Sequence, residues 1–357
     1  MRTSHRTIRK LIREEQSKIT DEQLFSSQQF SAYMTDIVET ATKRYRRRSK
    51  VKMHWDPFSN SDVAHTDNRL IHINAANFLT RSFPTRSLQA DSIIGLAGHE
   101  AGHILFTDFT MLQIHMQALE AGSFYPAEPG NLTMLQSLSL QQIKNYFEEK
   151  DEAVIQAIRL VTHSLVNTME DLYIEARMMD AFPGSFKTGI LLNNLRFSED
   201  IPSVTDEIAE GHHEVFIIIN LLIQYAKSGD LNNADGYKGK YLDTLYECIP
   251  FLDDAAYDED AKARYQAANQ MLVLLWPYMP SLIEQVREDL KNKTHHAAQA
   301  AEEQLATPPK TLSGTSKPVP SKTPYNHTPS SEDEERERLQ SALDYETGRI
   351  ALEKTDE

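Results

Sequence analysis

The five residues His99-Glu100-Ala101-Gly102-His103 restrict the fold of this chain more than any other segment. They lie in the run 91–106, whose apolar residues fall opposite the two histidines, as in a buried helix with one polar stripe. Four residues of helix place His99 and His103 on one face, one turn apart. Two imidazoles so arranged can bind one zinc ion, and Glu100 can act on a water that the ion holds. The pattern also arises by chance, but the amphipathic helix and the small residues Ala101 and Gly102 favour a metal site.

The charge of the chain argues against a nucleic-acid-binding protein. The 357 residues carry 37 basic and 52 acidic side chains, a net charge of −15. The first 50 residues have a net charge of +6, so the remainder carries −21. An acidic body repels a polyanion, and nucleic acid is an improbable partner. The basic run 43–48 could contact an acidic partner, although a solvated helix end is the favoured interpretation.

The rest of the composition favours a cytoplasmic protein. Cys248 is the only cysteine, so no internal disulfide can form, and nothing points to an oxidising compartment. The first residues lack the apolar stretch of a signal peptide. The longest apolar stretch, 215–223, is too short to span a bilayer, so no membrane segment is expected.

Periodicity predicts an α+β fold that is mostly helical. Apolar residues at helical spacing predict helices over 5–20 and 21–47, and alternation predicts three short strands within 51–74. A small antiparallel sheet is therefore expected to pack on the helix that carries His99 and His103, followed by a helical subdomain. The predicted divisions are basic N-terminal helices (1–50), a core that carries the histidine helix (51–200), a helical subdomain (201–305), a Pro/Ser/Thr-rich linker (306–330) and a charged C-terminal tail (331–357).

A catalytic zinc site usually has three protein ligands, so one ligand must come from outside the histidine helix. The best candidates are Glu170, Asp171 and Glu175, which lie among apolar residues of a long predicted helix. A buried acid needs a partner, and a metal ion is one. Glu170 is predicted as the ligand because it shares a stripe with His163 and Asn167, with Asp171 and Glu175 orienting the ligands from behind.

Two alternatives to Glu170 remain open at this level. Asp171 could be the ligand, supported by Glu175 one turn later. The three acids could instead form a solvated helix face, paired with Arg159 and Arg177. The strand histidines His54, His65 and His72 are not assigned as ligands.

Together these residues resemble the gluzincins, zinc metallopeptidases with an H-E-x-x-H motif and a glutamate as the third ligand. The matching segments are His99–His103 and Met169–Glu175. More narrowly, 74–77, 80–84 and 98–108 are similar to the metallopeptidase part associated with von Willebrand factor A domain proteins of bacterial mobile elements and phages.

The resemblance implies a zincin-like fold, a zinc cofactor (Zn2+) and a protein or peptide substrate. It also implies a substrate-binding edge strand next to the active helix, which pairs with the substrate backbone. The matching residues are Leu70, Ile71, His72, Ile73 and Asn74. A von Willebrand A domain protein or an AAA+ ATPase is the expected partner. No such domain follows in this sequence, so a separate chain would supply it, and the 66 residues between His103 and Glu170 exceed the gap in many zincins.

The expected activity is therefore zinc-dependent hydrolysis of peptide bonds. Zinc held by His99, His103 and Glu170 would lower the pKa of a bound water from about 15.7 toward about 7. Glu100 would take the water's proton and pass it to the leaving amine. The rival interpretation is a non-catalytic helical adaptor, or a partner subunit of a von Willebrand A/AAA+ system, whose metal site is structural or vestigial.

Overall fold

The computed structural model describes residues 4–16, 18–59, 62–67 and 69–292. Within these ranges the chain is mostly helical and includes one small sheet of three strands. The predicted linker and C-terminal tail lie outside the described residues. No described helix is both long enough and apolar enough to cross a membrane.

The N-terminal region contains three helices rather than the two that periodicity predicts. These are α1 (His5–Gln16), α2 (Asp21–Phe25) and α3 (Gln28–Lys43). The predicted helix over 21–47 is interrupted because the hydroxyl of Ser27 accepts a hydrogen bond from the amide of Phe30 and so begins a new helix. A serine in mid-helix competes with the helical backbone in this way, and the apolar spacing continues across the break.

The sheet is mixed, and the prediction of an antiparallel sheet was wrong. Its strands are β1 (Lys50–His54), β2 (Ala64–Thr66) and β3 (Leu70–Asn74), in the order β1-β3-β2. A short turn connects β2 to β3, and these two strands pair in antiparallel orientation. Strand β3 also pairs with β1, in parallel orientation. Alternation along each strand gives one buried face, and it says nothing about which strand lies in the middle.

The central position of β3 also overturns the proposed substrate edge strand. Leu70, Ile71, His72, Ile73 and Asn74 all pair with residues of β1, and Ile71, His72 and Ile73 pair with β2 as well. The backbone of these three central residues is therefore paired on both sides, so a peptide cannot add to it as a further strand.

The histidine helix α5 (Arg86–Phe106) follows a short helix, α4 (Phe78–Arg81). The hydroxyl of Thr85 accepts from the amide of Leu88 and caps the start of α5. In its first half, α5 packs against a later helix where Gly95 of α5 meets Gly189 of that helix. A Cβ added at Gly95 would lie 2.3 Å from the carbonyl carbon of Gly189, so only glycine allows this approach.

The described residues after α5, up to residue 292, form a series of helices. They are α6 (Phe109–Glu120), α7 (Met134–Glu149), α8 (Glu152–Ala181), α9 (Ser185–Asp200), α10 (Val204–Glu210), α11 (Glu214–Ser228), α12 (Lys240–Tyr257), α13 (Ala261–Leu275) and α14 (280–292). Gly211, with a φ of 79°, ends α10 and separates it from α11. Pro250 lies inside α12.

Helix α8 is the centre of the helical body. It contacts α5, α9, α11, α12 and α13, and its residues from Ala153 to Met178 include many buried side chains. Buried apolar residues on both sides of residue 200 belong to one continuous cluster. One helix, α8, therefore contributes side chains both to the core and to the neighbourhood of the polar stripe of α5.

Candidate metal centre

The two motif histidines converge on one point. His99 and His103 lie on consecutive turns of α5, and their Nε2 atoms are 3.2 Å apart. The rings meet edge to face, with centroids separated by 4.8 Å. Both rings are largely buried, so their nitrogens face the protein interior rather than bulk solvent.

Asp171 of α8 completes the group. Its Oδ1 atom lies 3.7 Å from Nε2 of His99 and 3.5 Å from Nε2 of His103. A tetrahedral zinc site with bonds of about 2.0–2.2 Å separates its ligand atoms by about 3.3–3.6 Å. The three measured separations match that geometry closely. Among the described residues this is the only group of three such ligands that meets on one point.

An unpartnered oxygen supports the fit of a metal ion at this point. Oδ1 of Asp171 is buried and has no hydrogen-bond partner. A buried polar atom without a partner costs free energy, and native structures seldom leave one. A cation between the three side chains would supply the missing partner. The donor set of two imidazoles and one carboxylate is one that zinc accepts.

The second nitrogen of His99 is held by Glu175. Nδ1 of His99 lies 2.9 Å from Oε1 of Glu175, which also accepts from Nζ of Lys227 at 2.7 Å. The other carboxylate oxygen accepts from the side-chain amide of Asn194 at 2.7 Å. Both oxygens of Glu175 are thus engaged, and its carboxylate fixes the ring of His99 so that Nε2 faces Asp171.

The second nitrogen of His103 is held by a longer chain of contacts. Nδ1 of His103 lies 3.0 Å from the hydroxyl of Thr107, which donates to Oε2 of Glu170 at 3.4 Å. Oε1 of Glu170 accepts from Nε of Arg264 at 2.8 Å. Arg264 is almost completely buried and lies over the ring of Tyr173, 4.0 Å from its centroid.

The structure therefore does not bring Glu170 to the histidines as the third ligand. Its carboxylate is taken by Arg264, and the acid that faces both histidines is its neighbour Asp171. The roles expected of the two acids are exchanged, in agreement with the alternative in which Glu175 supports Asp171. Neighbouring residues of a helix point about 100° apart, so only one of these two can face α5.

Lys227 sets the charge of the group. Burial alone would raise the pKa of the Asp171 and Glu175 carboxyls, but the ammonium of Lys227 and the nearby His99 outweigh it and lower both pKa values. Burial likewise opposes a charged His99, but Asp171 and Glu175 raise its pKa to about 9. A metal ion that binds here must therefore displace a proton from His99.

Glu100 occupies the position of the expected base. It is buried, with 8 % of its surface exposed, and its carboxylate is close enough to His99 to contribute to the raised pKa of that ring. Within the described residues its side chain makes no hydrogen bond. Glu100 is therefore neither a member of the His–His–Asp group nor tied to another side chain in the described part of the protein.

Four residues of this site were missed by the sequence analysis. Lys227 and Arg264 are cations in largely buried helices, α11 and α13, where a buried charged side chain calls for a partner. That signal was present in the sequence, but the partners lie 52 and 94 positions away. Asn194 and Thr107 carried no signal that separates them from other polar residues.

Comparison with protein-family models, curated proteins and solved structures finds no match to the chain. The resemblance to gluzincins thus depends on the motif residues alone. The geometry of the His–His–Asp group is independent of that resemblance, because it follows from the positions of side chains on α5 and α8.

Proposed function

We propose that this protein is a zinc-dependent metallopeptidase that hydrolyses peptide bonds in protein substrates. His99, His103 and Asp171 hold the ion. The observation that carries the proposal is the meeting of these three side chains around the unpartnered oxygen of Asp171. Three protein ligands leave a fourth position of a tetrahedral ion free, which is the arrangement of catalytic rather than structural zinc sites.

The residues around the group have distinct tasks in this reaction. When bound, zinc polarises the scissile carbonyl and makes water acidic enough to attack it at neutral pH. The carboxylate of Glu100 accepts the proton of the attacking water and later donates it to the leaving nitrogen. Glu175 and Thr107 hold the Nδ1 atoms of His99 and His103, which keeps both Nε2 atoms directed at the ion.

A purely structural metal site has no need of Glu100, so this residue gives the sharpest test. Glu100→Gln should retain zinc and lose hydrolysis of casein or a peptide library by about 10²–10⁴-fold, the usual effect of a general acid–base residue. Glu247→Gln, an exposed change on α12, is the matched control and should leave turnover unchanged. Equal turnover in wild type and Glu100→Gln would contradict the role of Glu100.

One observation favours a second candidate, a non-catalytic adaptor. Helix α1 leaves Ile8, Leu11 and Ile12 exposed on one face, at 44 %, 53 % and 50 % of their surface. Such an apolar stripe on a basic helix is suited to docking a partner, for example a von Willebrand A or AAA+ protein. This alternative predicts that wild type and Glu100→Gln both bind zinc and that neither hydrolyses any peptide.

A further inference from the structure

The basic run 43–48 begins at the last residue of α3 and forms an unneutralised positive patch. All five of its cations have exposed side chains: Lys43, Arg44, Arg46, Arg47 and Arg48. Within the described ranges, none of them pairs with a carboxylate. The neighbouring sequence does not neutralise them either, since residues 40–55 contain seven basic side chains and no acidic one. The patch therefore stands out on a protein whose residues after position 50 carry a net charge of −21.

The backbone of the run is wound into a tight turn. The amide of Tyr45 donates to the carbonyl oxygen of Thr42 at 2.9 Å, and the amide of Arg47 donates to the same oxygen at 3.2 Å. Arg46 has a φ of 59°, a backbone conformation that glycine adopts more easily than arginine. The sequence thus places a cation where the turn alone favours glycine.

Two ring contacts place the run beside the helices that form the metal centre. The ring of Tyr45 meets the ring of Phe106 edge to face, with centroids 5.5 Å apart. Phe106 is the last residue of α5. The guanidinium of Arg44 lies 5.6 Å from the ring centroid of Phe182, the residue that follows α8. The run therefore contacts the C-terminal ends of both helices that supply the His–His–Asp group.

The run is close enough to the metal centre for one bound peptide to reach both. Phe106 follows His103 by three positions, so the two side chains lie on the same face of α5, about 4.5 Å apart along its axis. Adding the 5.5 Å between the rings of Phe106 and Tyr45 gives about 10 Å. An extended peptide covers that distance in about three residues, at about 3.3–3.6 Å per residue.

We propose that the basic run binds an acidic segment of the protein substrate, at least about three residues away from the peptide bond that is cut. The inference rests on the proposed function, because it takes the metal centre as the site of cleavage. Arginine pairs with a carboxylate through two parallel N–H···O bonds, and residues 44–48 offer four arginines. The run thereby selects substrates that carry clustered Asp and Glu.

An acidic polypeptide fits this position better than a nucleic acid does. The net negative charge of the rest of the chain repels a long polyanion such as DNA or RNA. A short acidic segment needs only the run itself. The uncharged continuation of the same polypeptide can then extend along α5 to the metal centre.

A pair of fluorescently labelled peptides tests the inference. One peptide ends in a cluster of glutamates, and its partner has glutamine at each of those positions. Both are added to the zinc-loaded full chain with Glu100→Gln, so that a bound substrate stays uncut. Fluorescence polarisation at low ionic strength should show tighter binding of the glutamate peptide, and added salt should reduce the difference. Equal affinity for the two peptides would overturn the inference.

A triple variant locates the binding surface. Arg46→Gln, Arg47→Gln and Arg48→Gln, combined in this Glu100→Gln chain, should weaken binding of the glutamate peptide and leave that of the glutamine peptide unchanged. Each exposed charge pair changes an equilibrium by about 1.4- to 5-fold, so the loss of three should weaken binding by on the order of 3- to 100-fold.

The matched control removes the same charge from another exposed surface. Arg6→Gln, Arg9→Gln and Arg13→Gln change three exposed cations of α1 and should leave the affinity for the glutamate peptide unchanged. An equal loss in both triple variants would mean that only the net charge of the chain matters, and it would overturn the inference.

Two further measurements identify other occupants of the run. If a duplex DNA oligonucleotide bound more tightly than the glutamate peptide, and lost its affinity in the variant of residues 46–48, the run would be a nucleic-acid surface and the inference would be wrong. The sequence itself contains four successive acids at 332–335. If changing these acids to amides tightened binding of the glutamate peptide, the run would belong to the chain's own acidic segment rather than to a substrate.

Cleavage by the wild-type chain separates this inference from the proposed function. Wild type should cleave the glutamate peptide with the higher kcat/KM. Equal kcat/KM for the two peptides would overturn the inference and leave the peptidase intact. If neither peptide were cleaved while the glutamate peptide still bound through residues 46–48, the proposed peptidase activity would be contradicted, and the run would stand as a binding surface for acidic polypeptides.

Discussion

Two regions of the helical body bury carboxylates, and the chain treats them in opposite ways. On α8, Asp171 and Glu175 lie within 3.5 Å and 2.7 Å of the ammonium of Lys227, which lowers the pKa of both. On α10, Glu207 is completely buried and receives a hydrogen bond from the neutral amide of Asn220. Burial there raises the pKa of Glu207 to about 7.

The difference shows that a buried carboxylate stays charged only where a neighbouring group offsets the cost of burial. Desolvation disfavours the charged form in both regions, and the ammonium of Lys227 reverses the result only around α8. A metal ligand must be deprotonated to bind. The region around α8 therefore supplies charged carboxylates in advance, whereas Glu207 is suited to holding a proton.

The largest expected effect comes from removing the cation of the first region. Lys227→Met leaves two buried carboxylates with His99 as the remaining nearby cation. The free energy of unfolding should therefore fall by about 3–5 kcal/mol. Urea denaturation of the metal-free protein measures the loss. Zinc would replace the missing positive charge, so added zinc should raise the melting temperature more in Lys227→Met than in wild type.

Lys144→Met is the matched control for this change. Lys144 pairs with Glu128 at the surface, where an ion pair is worth about 0–1 kcal/mol. If Lys227→Met lost no more stability than Lys144→Met, the charge balance described for α8 would be incorrect.

A smaller effect separates the two neighbouring acids of α8. Asp171→Asn removes the oxygen that faces both histidines, so zinc affinity should fall by more than about 100-fold. Glu170→Gln affects His103 only through Thr107, so its affinity should fall by at most the 10–100-fold typical of outer partners. Competition with a chelator gives both values. The reverse order would restore Glu170 as the ligand.

The sequence was sufficient to predict the pairing of His99 with His103, because the distance between them is set by the geometry of one helix. It also predicted that the third side chain would come from the acids of α8. The choice among these acids depended on how α8 is rotated against α5. That rotation is set by tertiary contacts such as the pair of Arg264 with Glu170, 94 positions apart, which no local pattern reports.

The sheet shows the same limit. Alternation located all three strands, and it is clearest in β1 and β3, whose buried and more exposed side chains alternate. It could not reveal that β3 lies between β1 and β2, because pairing order is a property of the whole sheet.

The smallest effect tests the second region through its dependence on pH. The pKa of Glu207 rises from an ordinary value of 4.5 to about 7 on folding, so the folded protein keeps a proton that the unfolded chain releases between these values. The contribution of Glu207 to the free energy of unfolding should therefore fall as pH rises from 4.5 to 7, by at most about 1.4 kcal/mol per pH unit. Above pH 7 this contribution should not change further. Below pH 4.5 both states are protonated at this site and the contribution vanishes.

Glu207→Gln should remove this dependence, because the amide cannot ionise and its oxygen can still accept from Asn220. The titratable groups that face Glu207 are His212, whose Nδ1 lies 3.6 Å away, and Glu210, and both remain in the variant. Urea denaturation at pH 5 and pH 8 measures this effect. The difference in the free energy of unfolding, variant minus wild type, should be larger at pH 8 than at pH 5 by on the order of 2 kcal/mol. An equal difference at both pH values would mean that Glu207 is charged in the folded protein, as Asp171 is, and that the contrast between the two regions does not hold.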